Sequence, residues 1–362
     1  MPRARSLEQL RAEIDALDTQ LLALLNQRAG ICVEVGERKR TEARRTFAPE
    51  REKRILMRLE KLNHGPLRRD MLRSIYREII SSCRSLEQRL RIAYLGPEGT
   101  FSHQAAREKF GRGDELHPVP TIGAVFDEVE HGRTDYGIVP VENSTEGAVT
   151  ATLDRLVNTT LTIKAESFLN VNLLLLSRSG RAERVKRIAS MPQPLGQCRE
   201  WLKLHYPGVP LEEMSSTAKV AEKAVGDERV AAIAGVMAQE HYGLKVVASG
   251  IQDQPRNVTR FLVIGDDGIG GRTGDDKTSM LFSVRHEPGA LYRVLRPFAD
   301  NRINMLTIES RPLKGRPWEY VFFLDVSGHV NEPRMERALA ALRPRCVSLR
   351  VLGTYPVSHT QE

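Results

Sequence analysis

The chain has 362 residues, 41% of them hydrophobic, and a formal net charge of +8, which fits a folded globular protein of two or three domains at about 100–200 residues each. No apolar run approaches the roughly 18–20 residues of a membrane span, and the basic start MPRARSLEQLRAE lacks the apolar core of a signal peptide. Cys32, Cys83, Cys198 and Cys346 lie far apart and form no CxxC, so reduced thiols, a cytoplasmic location and no zinc site are expected.

Residues 7–40 carry the first predicted element. Leu7, Leu10, Ile14, Leu17, Leu21, Leu24, Ile31 and Val35 recur at steps of three and four, the period of one helical face. Such a helix is about 50 Å long, too long for one small domain unless it packs on a partner. A second helix starts near Pro49, a residue suited to a first helical turn, and a third runs from about Leu67 to Leu90. The first 90 residues therefore read as all-helical. They hold 20 Lys and Arg against 13 Asp and Glu, nearly all of the net charge. A basic module suits nucleic acid, a membrane surface or a small anion.

At Arg91 the rhythm changes. RIAYLG, DYGIVPV, FLNVNLLLL, VKRIAS, RVAAIAG, LKVVAS and RFLVIG are strand candidates, several followed by helical stretches such as SHQAAREKF, LGQCREWLKLHY and VMAQEHYG. This alternation indicates α/β architecture. GDDGIGGRTGDD, residues 265–276, reads as a linker. Beyond it the order strand, helix, strand, strand, helix, strand predicts a ferredoxin-like βαββαβ module of about 80 residues. The expected domains are 1–90, 91–267 and 277–357.

The charges of the helical module have a pattern. Arg28 falls on the apolar face, where a lone buried arginine is costly unless it meets an anion. Lys39, eleven residues on, lies about 20° away around the helix, while Arg11 lies about 25 Å away along it. An antiparallel second chain would bring Arg11 to the same anion. A plain coiled-coil arm, with Arg28 paired to a carboxylate, is the alternative. The stretches LEQLRAEIDALDTQLLALLNQRAGICVEVGERK, PERE and IISSCRSLEQ resemble the all-helical chorismate mutases over residues 6–90. The resemblance implies an intertwined dimer in which Arg28 and the partner's Arg11 hold the substrate carboxylates. It further implies Lys39 at the ether oxygen, Arg51 and Glu52 at the start of the second helix, Glu52 taking the substrate hydroxyl, and Glu87 beside the ether oxygen. The reaction needs a locked conformer and donors aimed at developing charge, not a nucleophile. Three positions depart from the family pattern: Ala48 lacks a carboxylate, Cys83 replaces serine and Glu87 replaces glutamine. An ionised Glu87 would repel the ether oxygen, so turnover is expected to need the neutral acid and to fall with rising pH.

In the α/β module polar clusters follow strands, where open sheets bind ligands. They are PEGTFSHQAA after RIAYLG, Glu142-Asn143-Ser144 after DYGIVPV, and Met191-Pro192-Gln193-Pro194 with Gln197 after RIAS. No phosphate-binding glycine loop occurs, and His103 reads as structural. YLGPEGTFSHQAA, VPVENSTEGAV, PQPLGQC and NVTRFLVIG resemble the prephenate dehydratases over residues 92–265. The resemblance implies two α/β lobes similar to periplasmic binding proteins, with the site in the cleft. It implies Thr259 as donor to the leaving hydroxyl, Asn143 and Gln197 as its polar partners, and Glu142 and Ser190 nearby. Arg260 would bind a substrate carboxylate or brace the cleft. Met191 and Met214 stand where some relatives have His and Glu, so those contacts are expected to be missing.

EPGALYRVLRPFADNRINMLTIESRP resembles the phenylalanine-binding ACT domain over residues 278–357. It implies an effector pocket at a dimer interface, from Gly289, Ala290 and Leu291 with Asn304, Glu309, Ser310, Arg311 and Pro312. Leu306 and Thr307 depart from the family order. The joint expectation is a bifunctional, cofactor-free cytoplasmic enzyme. It acts on chorismate and prephenate, is inhibited by L-phenylalanine, and is a homodimer or larger, without nucleic acid, membrane or metal. The alternatives are a two-lobed amino-acid sensor with a dimerisation arm, and a nucleic-acid binder built on the basic first module.

Overall fold

The structure, a computed structural model, describes residues 5–42, 47–266, 268–312 and 320–358. The chain divides into two compact units. One holds Met1–Ala48, Ile55–Leu90 and Phe110–Glu115; the other holds Pro49–Arg54, Arg91–Lys109 and Leu116–Glu362.

The helices α1 (Leu7–Thr41), α2 (Pro49–Leu62) and α3 (Arg69–Glu87) begin within about two residues of their predicted starts. Ser6 and Gln9 start α1 with a capping box, each side chain accepting the other's backbone N–H. The apolar stripe of α1 is uncovered in the single chain: Leu17 is 61% and Leu24 63% exposed. Gly36 is the buried residue of this helix. A Cβ there would lie 2.9 Å from Glu87 Cα, so the close crossing of α1 and α3 requires a glycine. At the end of α3, buried Arg84 donates to the Phe110 carbonyl at 2.8 Å and to Asp114 at 2.6 Å. The Phe47 ring lies 5.4 Å from its guanidinium carbon.

The second unit contains three sheets. The first lobe runs β1 (Arg91–Leu95), α4 (Phe101–Phe110), β2 (Glu115–Val119), α5 (Ile122–Glu130), β3 (Tyr136–Asn143), β4 (Gly147–Ala148), α6 (Thr150–Asn158) and β5 (Thr162–Asn170). The chain then crosses to a second lobe: β6 (Leu174–Ser177), β7 (Arg187–Ser190), α7 (Pro192–Gln197), α8 (Arg199–His205), β8 (Leu211–Glu213), α9 (Thr217–Gly226), β9 (Val230–Ala234), α10 (Val236–Tyr242) and β10 (Lys245–Ser249). It returns to the first lobe as β11 (Val258–Gly265). The strand orders are β2-β1-β3-β11-β5, with β4 on β3, and β10-β6-β9-β7-β8. This is the two-lobed α/β arrangement expected, linked by two crossings.

FLNVNLLLL, expected as one strand, is the first crossing: its start ends β5 and its end is β6. Both parts are apolar because both lobes bury them, so periodicity alone could not place the break. The helix expected at LGQCREWLKLHY is likewise two, interrupted at Cys198, where ψ is 13°.

The third sheet follows the βαββαβ order: β12 (Asp276–Ser283), α11 (Ala290–Asp300), β13 (Met305–Pro312), β14 (Tyr320–Ser327), α12 (Pro333–Leu342) and β15 (Ser348–Pro356). Its antiparallel strands lie in the order β13-β14-β12-β15. It is fused to the first lobe rather than tethered. Leu281, Phe323, Leu352 and Tyr355 share one core with Leu153, Leu156 and Ile163. The backbones meet where Gly353 passes β5: a Cβ there would lie 2.2 Å from the Ile163 carbonyl oxygen.

A buried ionic cluster spans this junction. Glu166 of β5, fully buried, sits 2.9 Å from Arg260 and 2.8 Å from Lys277. Arg260 also reaches Asp325 of β14 at 2.7 Å and the Tyr355 hydroxyl at 3.1 Å. Removing one member of such a cluster leaves an uncompensated buried charge. Glu166→Ala should therefore lower the stability of this unit by about 3–5 kcal/mol, read as a lower urea midpoint. A loss below about 1 kcal/mol, the ordinary value of an exposed pair, would show that the cluster is not holding the junction.

Candidate active sites

A cavity of about 1010 Å³ opens between the two lobes, lined by residues from both. From the first lobe come Thr100, Phe101 and Ser102 at the start of α4, with Asn143, Asn257 and Thr259. From the second come Ser190, Met191, Gln193 and Gln197, with Ser216 and Thr217 at the start of α9. The hydroxyl of Thr100 accepts from His103 N at 3.3 Å and that of Ser216 from Lys219 N at 3.3 Å. Both helices thus present capped N-termini, with unpaired backbone N–H groups nearby, to the cavity. Among the described lining residues there is no Lys or Arg; the ionisable side chains besides Tyr242 are Glu98 and His241.

Strand pairing places the Thr259 hydroxyl. β11 lies between β3 and β5, antiparallel to both, and Thr259 stands opposite Asn143. Directly opposed residues of an antiparallel pair share a face with their Cβ atoms about 5 Å apart. Asn143 Nδ2 donates to Thr259 Oγ1 at 2.9 Å and to Asn257 Oδ1 at 2.8 Å. The amide's orientation is determined by its other end, because Asn143 Oδ1 accepts from Thr145 N, Thr145 Oγ1 and Glu146 N at 3.0, 2.6 and 3.1 Å. Three donors on one atom identify it as the oxygen. Thr259, 9% exposed, therefore receives a hydrogen bond from Asn143, which leaves its own proton available to a group in the cavity.

The other dehydratase residues expected from sequence fall into two sets. Ser190 lines the cavity, and its hydroxyl donates to the Ile233 carbonyl at 2.8 Å. Gln197 lines it too, but its amide donates to Glu146 at 2.9 Å and not to Thr259. Glu142 and Arg260 stand apart from both sets. Strand alternation sends the neighbours of Asn143 and Thr259 to the opposite face. Glu142 is exposed and does not line the cavity. Arg260 is held by Glu166 and Asp325, so of its two expected roles only bracing fits its position. Met191 lines the cavity and accepts from Thr217 Oγ1 at 3.5 Å, while Met214 packs against the second lobe's core. Gln193 and Glu146 were not assigned roles from sequence, although Gln193 lies in a polar cluster read there and Glu146 in the VPVENSTEGAV stretch.

His103 is structural, as expected. It is 5% exposed, stacks on Tyr94 with ring centroids 5.0 Å apart, and its Nδ1 accepts from Gly99 N at 3.2 Å. Burial, then the nearby Arg107 charge, lowers its pKa from the ordinary value.

In the helical unit, Lys39 Nζ donates to Glu87 at 2.6 Å. Arg28 is half-buried beside Cys32, with Nη1 at 3.9 Å from the sulfur. Burial and the neighbouring Cys83 raise the Cys32 pKa. Glu87 thus has a cationic partner, Lys39, reached across the crossing of α1 and α3. Arg11 is exposed near the opposite end of α1. Arg51 is exposed and Glu52 half-buried, both in the first turn of α2. Ala48, the residue before that helix, makes no side-chain cap.

The expected effector residues lie on two elements of the third sheet. Gly289, Ala290 and Leu291 open α11. Asn304 precedes β13, the edge strand, which carries Glu309, Ser310, Arg311 and Pro312. Leu306 and Ile308 on that strand are 44% and 45% exposed, while Arg311 faces Asp154 of α6 at 3.6 Å.

Family models match the chain in three consecutive segments: chorismate mutase type II over residues 10–88, prephenate dehydratase over 92–268 and the ACT domain over 278–344. The chain is 46% identical over 360 residues to a bifunctional chorismate mutase/prephenate dehydratase of Aquifex aeolicus, covering 98% of this chain and 99% of that one. It is 44% identical to that of Stutzerimonas stutzeri over the same shares. Among solved structures, the prephenate dehydratase of Arthrobacter aurescens in complex with L-Phe is 34% identical with a TM-score of 0.68, covering 74% of this chain and 90% of that one.

The setting of His103 is testable by NMR. Its imidazole should titrate below the ordinary value of about 6.5 and carry its proton on Nε2 in the neutral form. Folding then favours the neutral ring, so this group costs stability as pH falls below about 6.5. A midpoint at or above that value would contradict the packing of α4 against the cavity.

Proposed function

Because this chain belongs to the bifunctional chorismate mutase/prephenate dehydratase family, we propose a division of its two chemistries between charged helices and an uncharged cleft. The enzyme rearranges chorismate to prephenate and then converts prephenate to phenylpyruvate, and L-phenylalanine inhibits it through the ACT domain. The working boundaries are 1–90 for the mutase, 91–267 for the dehydratase and 277–357 for the ACT domain.

In the mutase, Arg28 and Lys39 of one chain meet Arg11 of a second chain around the substrate dianion. The exposed apolar stripe of α1 supports this reading, since a homodimer would bury it. Arg51 and Glu52 complete the site, with Glu52 accepting from the substrate hydroxyl. Lys39 leaves Glu87 in part to meet the ether oxygen as charge develops there. The protein is cytoplasmic in this reading; its four cysteines are free thiols.

In the dehydratase, the ring-to-carboxylate bond of prephenate breaks as CO2 leaves. Its electron pair enters the ring, which becomes aromatic as the C–OH bond breaks. The departing oxygen needs a proton to leave as water. Thr259 donates to that oxygen, and the observation carrying this role is the hydrogen bond from Asn143 to Thr259 Oγ1 at 2.9 Å. That bond sets the direction of the Thr259 proton and withdraws charge from its oxygen, partly offsetting the weak acidity of an alcohol. With no Lys or Arg among the described lining residues, the two substrate carboxylates are met by the N–H groups that open α4 and α9. A site without fixed cations does not hold the carboxylate that must depart as neutral CO2 in a strong ion pair.

The L-Phe complex of the Arthrobacter aurescens relative supports the effector assignment. The exposed edge strand β13 supports a pocket completed by a second copy, with Asn304, Glu309 and Ser310 facing the start of α11 across that edge.

Given chorismate, the Thr259→Val variant of the full chain should accumulate prephenate while phenylpyruvate formation falls about 10²–10⁴-fold, the range for loss of a positioned proton donor. Mutase turnover should be unchanged. Wild-type phenylpyruvate formation would remove Thr259 from the mechanism.

A further inference from the structure

We infer that Glu146 is a positioning residue of the dehydratase, tying closure of the two lobes to the orientation of Thr259. This inference rests on the reading of Thr259 as proton donor. Glu146 sits on the turn between β3 and β4, in the first lobe. Its carboxylate accepts from Gln193 Nε2 at 2.6 Å and Gln197 Nε2 at 2.9 Å, both on α7 of the second lobe. Its backbone N–H donates to Asn143 Oδ1 at 3.1 Å. The same turn supplies the other two donors to that oxygen, from Thr145. One residue therefore holds the far lobe with its side chain and the catalytic amide with its main chain.

The chain of contacts has a direction. Gln193 and Gln197 fix the Glu146 carboxylate; the turn then fixes Asn143 Oδ1; the rigid amide aims Nδ2 at Thr259. If the lobes part, the carboxylate loses both donors and the turn that orients Asn143 loses its outer anchor. Hydrogen bonds to a charged acceptor are stronger than neutral ones. These are exposed, so water can replace them when they open. That suits a contact which must form and break once per turnover, whereas a buried carboxylate would be stranded on opening. A second contact bridges the lobes, between Glu98 and His241 at 3.2 Å. Both of those residues line the cavity.

The inference also accounts for Gln197, which the sequence places near Thr259 but the structure links to it only through Glu146 and Asn143. An amide misdirected by a fraction of an ångström is enough to matter, since a misplacement of about 1 Å can cost about 10²-fold in rate.

The test is a double-mutant cycle on the full chain, with mutase turnover as the control for folding. Glu146→Ala should lower dehydratase kcat at least tenfold with little change in KM. Gln193→Ala should cost less, because Gln197 still holds the carboxylate. Adding Gln193→Ala to Glu146→Ala should cost nothing further. Glu146→Gln, which keeps an acceptor oxygen, should recover part of the loss. Additive losses, wild-type kcat in Glu146→Ala, or a rise in KM alone would each overturn the positioning role. Thr259→Val separates this outcome from failure of the underlying reading: if that variant is inactive and the cycle is additive, Thr259 stands and the latch falls.

Discussion

The alternation of side chains along β11 is the constraint from which the dehydratase and its junction with the ACT domain both follow. A strand points successive residues to opposite faces, and a slip of one residue would exchange them all. Here Thr259 faces Asn143 and the cavity, while Arg260, the next residue, enters the ionic cluster with Glu166 and Asp325. Because β11 is hydrogen-bonded on both edges, to β3 and β5, neither side chain can shift without the sheet. Thr259, the proposed donor, and the contact with the third sheet are thus adjacent in sequence and opposed in space. A change in the third sheet that moves Asp325 or Tyr355 would act on the strand that carries Thr259. Differential binding of an effector to two such states is what inhibition requires.

The two chemistries of the family have different electrostatic demands, and the residues follow them. The rearrangement keeps both substrate carboxylates and develops charge at one ether oxygen, so Arg28 and Lys39 on a helical face suit it. The decarboxylating dehydration must release one carboxylate as a neutral molecule, so neutral donors, here Asn143, Thr259 and helix N–H groups, suit it better than cations. In the helical unit Lys39 is paired with Glu87 at 2.6 Å.

Much of this was legible in the sequence, for identifiable reasons. The three helices followed from a 3.6-residue period with a proline at the second start, and the last module from its element order. Thr259 and Asn143 stood out through the resemblance of NVTRFLVIG and VPVENSTEGAV to the prephenate dehydratases; each polar cluster alone reads as a loop with a helix cap. What was not legible depended on register and face. Nothing in NVTRFLVIG says which of Thr259 and Arg260 faces the cavity until the pairing with β3 is known. The split of FLNVNLLLL between lobes was hidden because both halves are buried. Glu146 drew no reading from sequence; its contacts with Gln193 and Gln197 appear only when α7 of the other lobe meets it. The Lys39–Glu87 pair was not legible either, because the two lie 48 residues apart and meet where the close approach at Gly36 brings α1 to α3.

The account stands on the direction of one hydrogen bond, from the Asn143 amide to the Thr259 oxygen. Asn143→Asp keeps the shape and still accepts from Thr145 and Glu146, but an ionised carboxylate has no proton to give. Thr259 would then turn its own proton to residue 143 and away from the substrate. The decisive measurement is prephenate turnover by this variant under single-turnover conditions. The account predicts a loss of about a hundredfold or more in the chemical step, with prephenate still bound. Turnover near that of the wild type would show that the Thr259 proton is not directed by Asn143, and would contradict the mechanism.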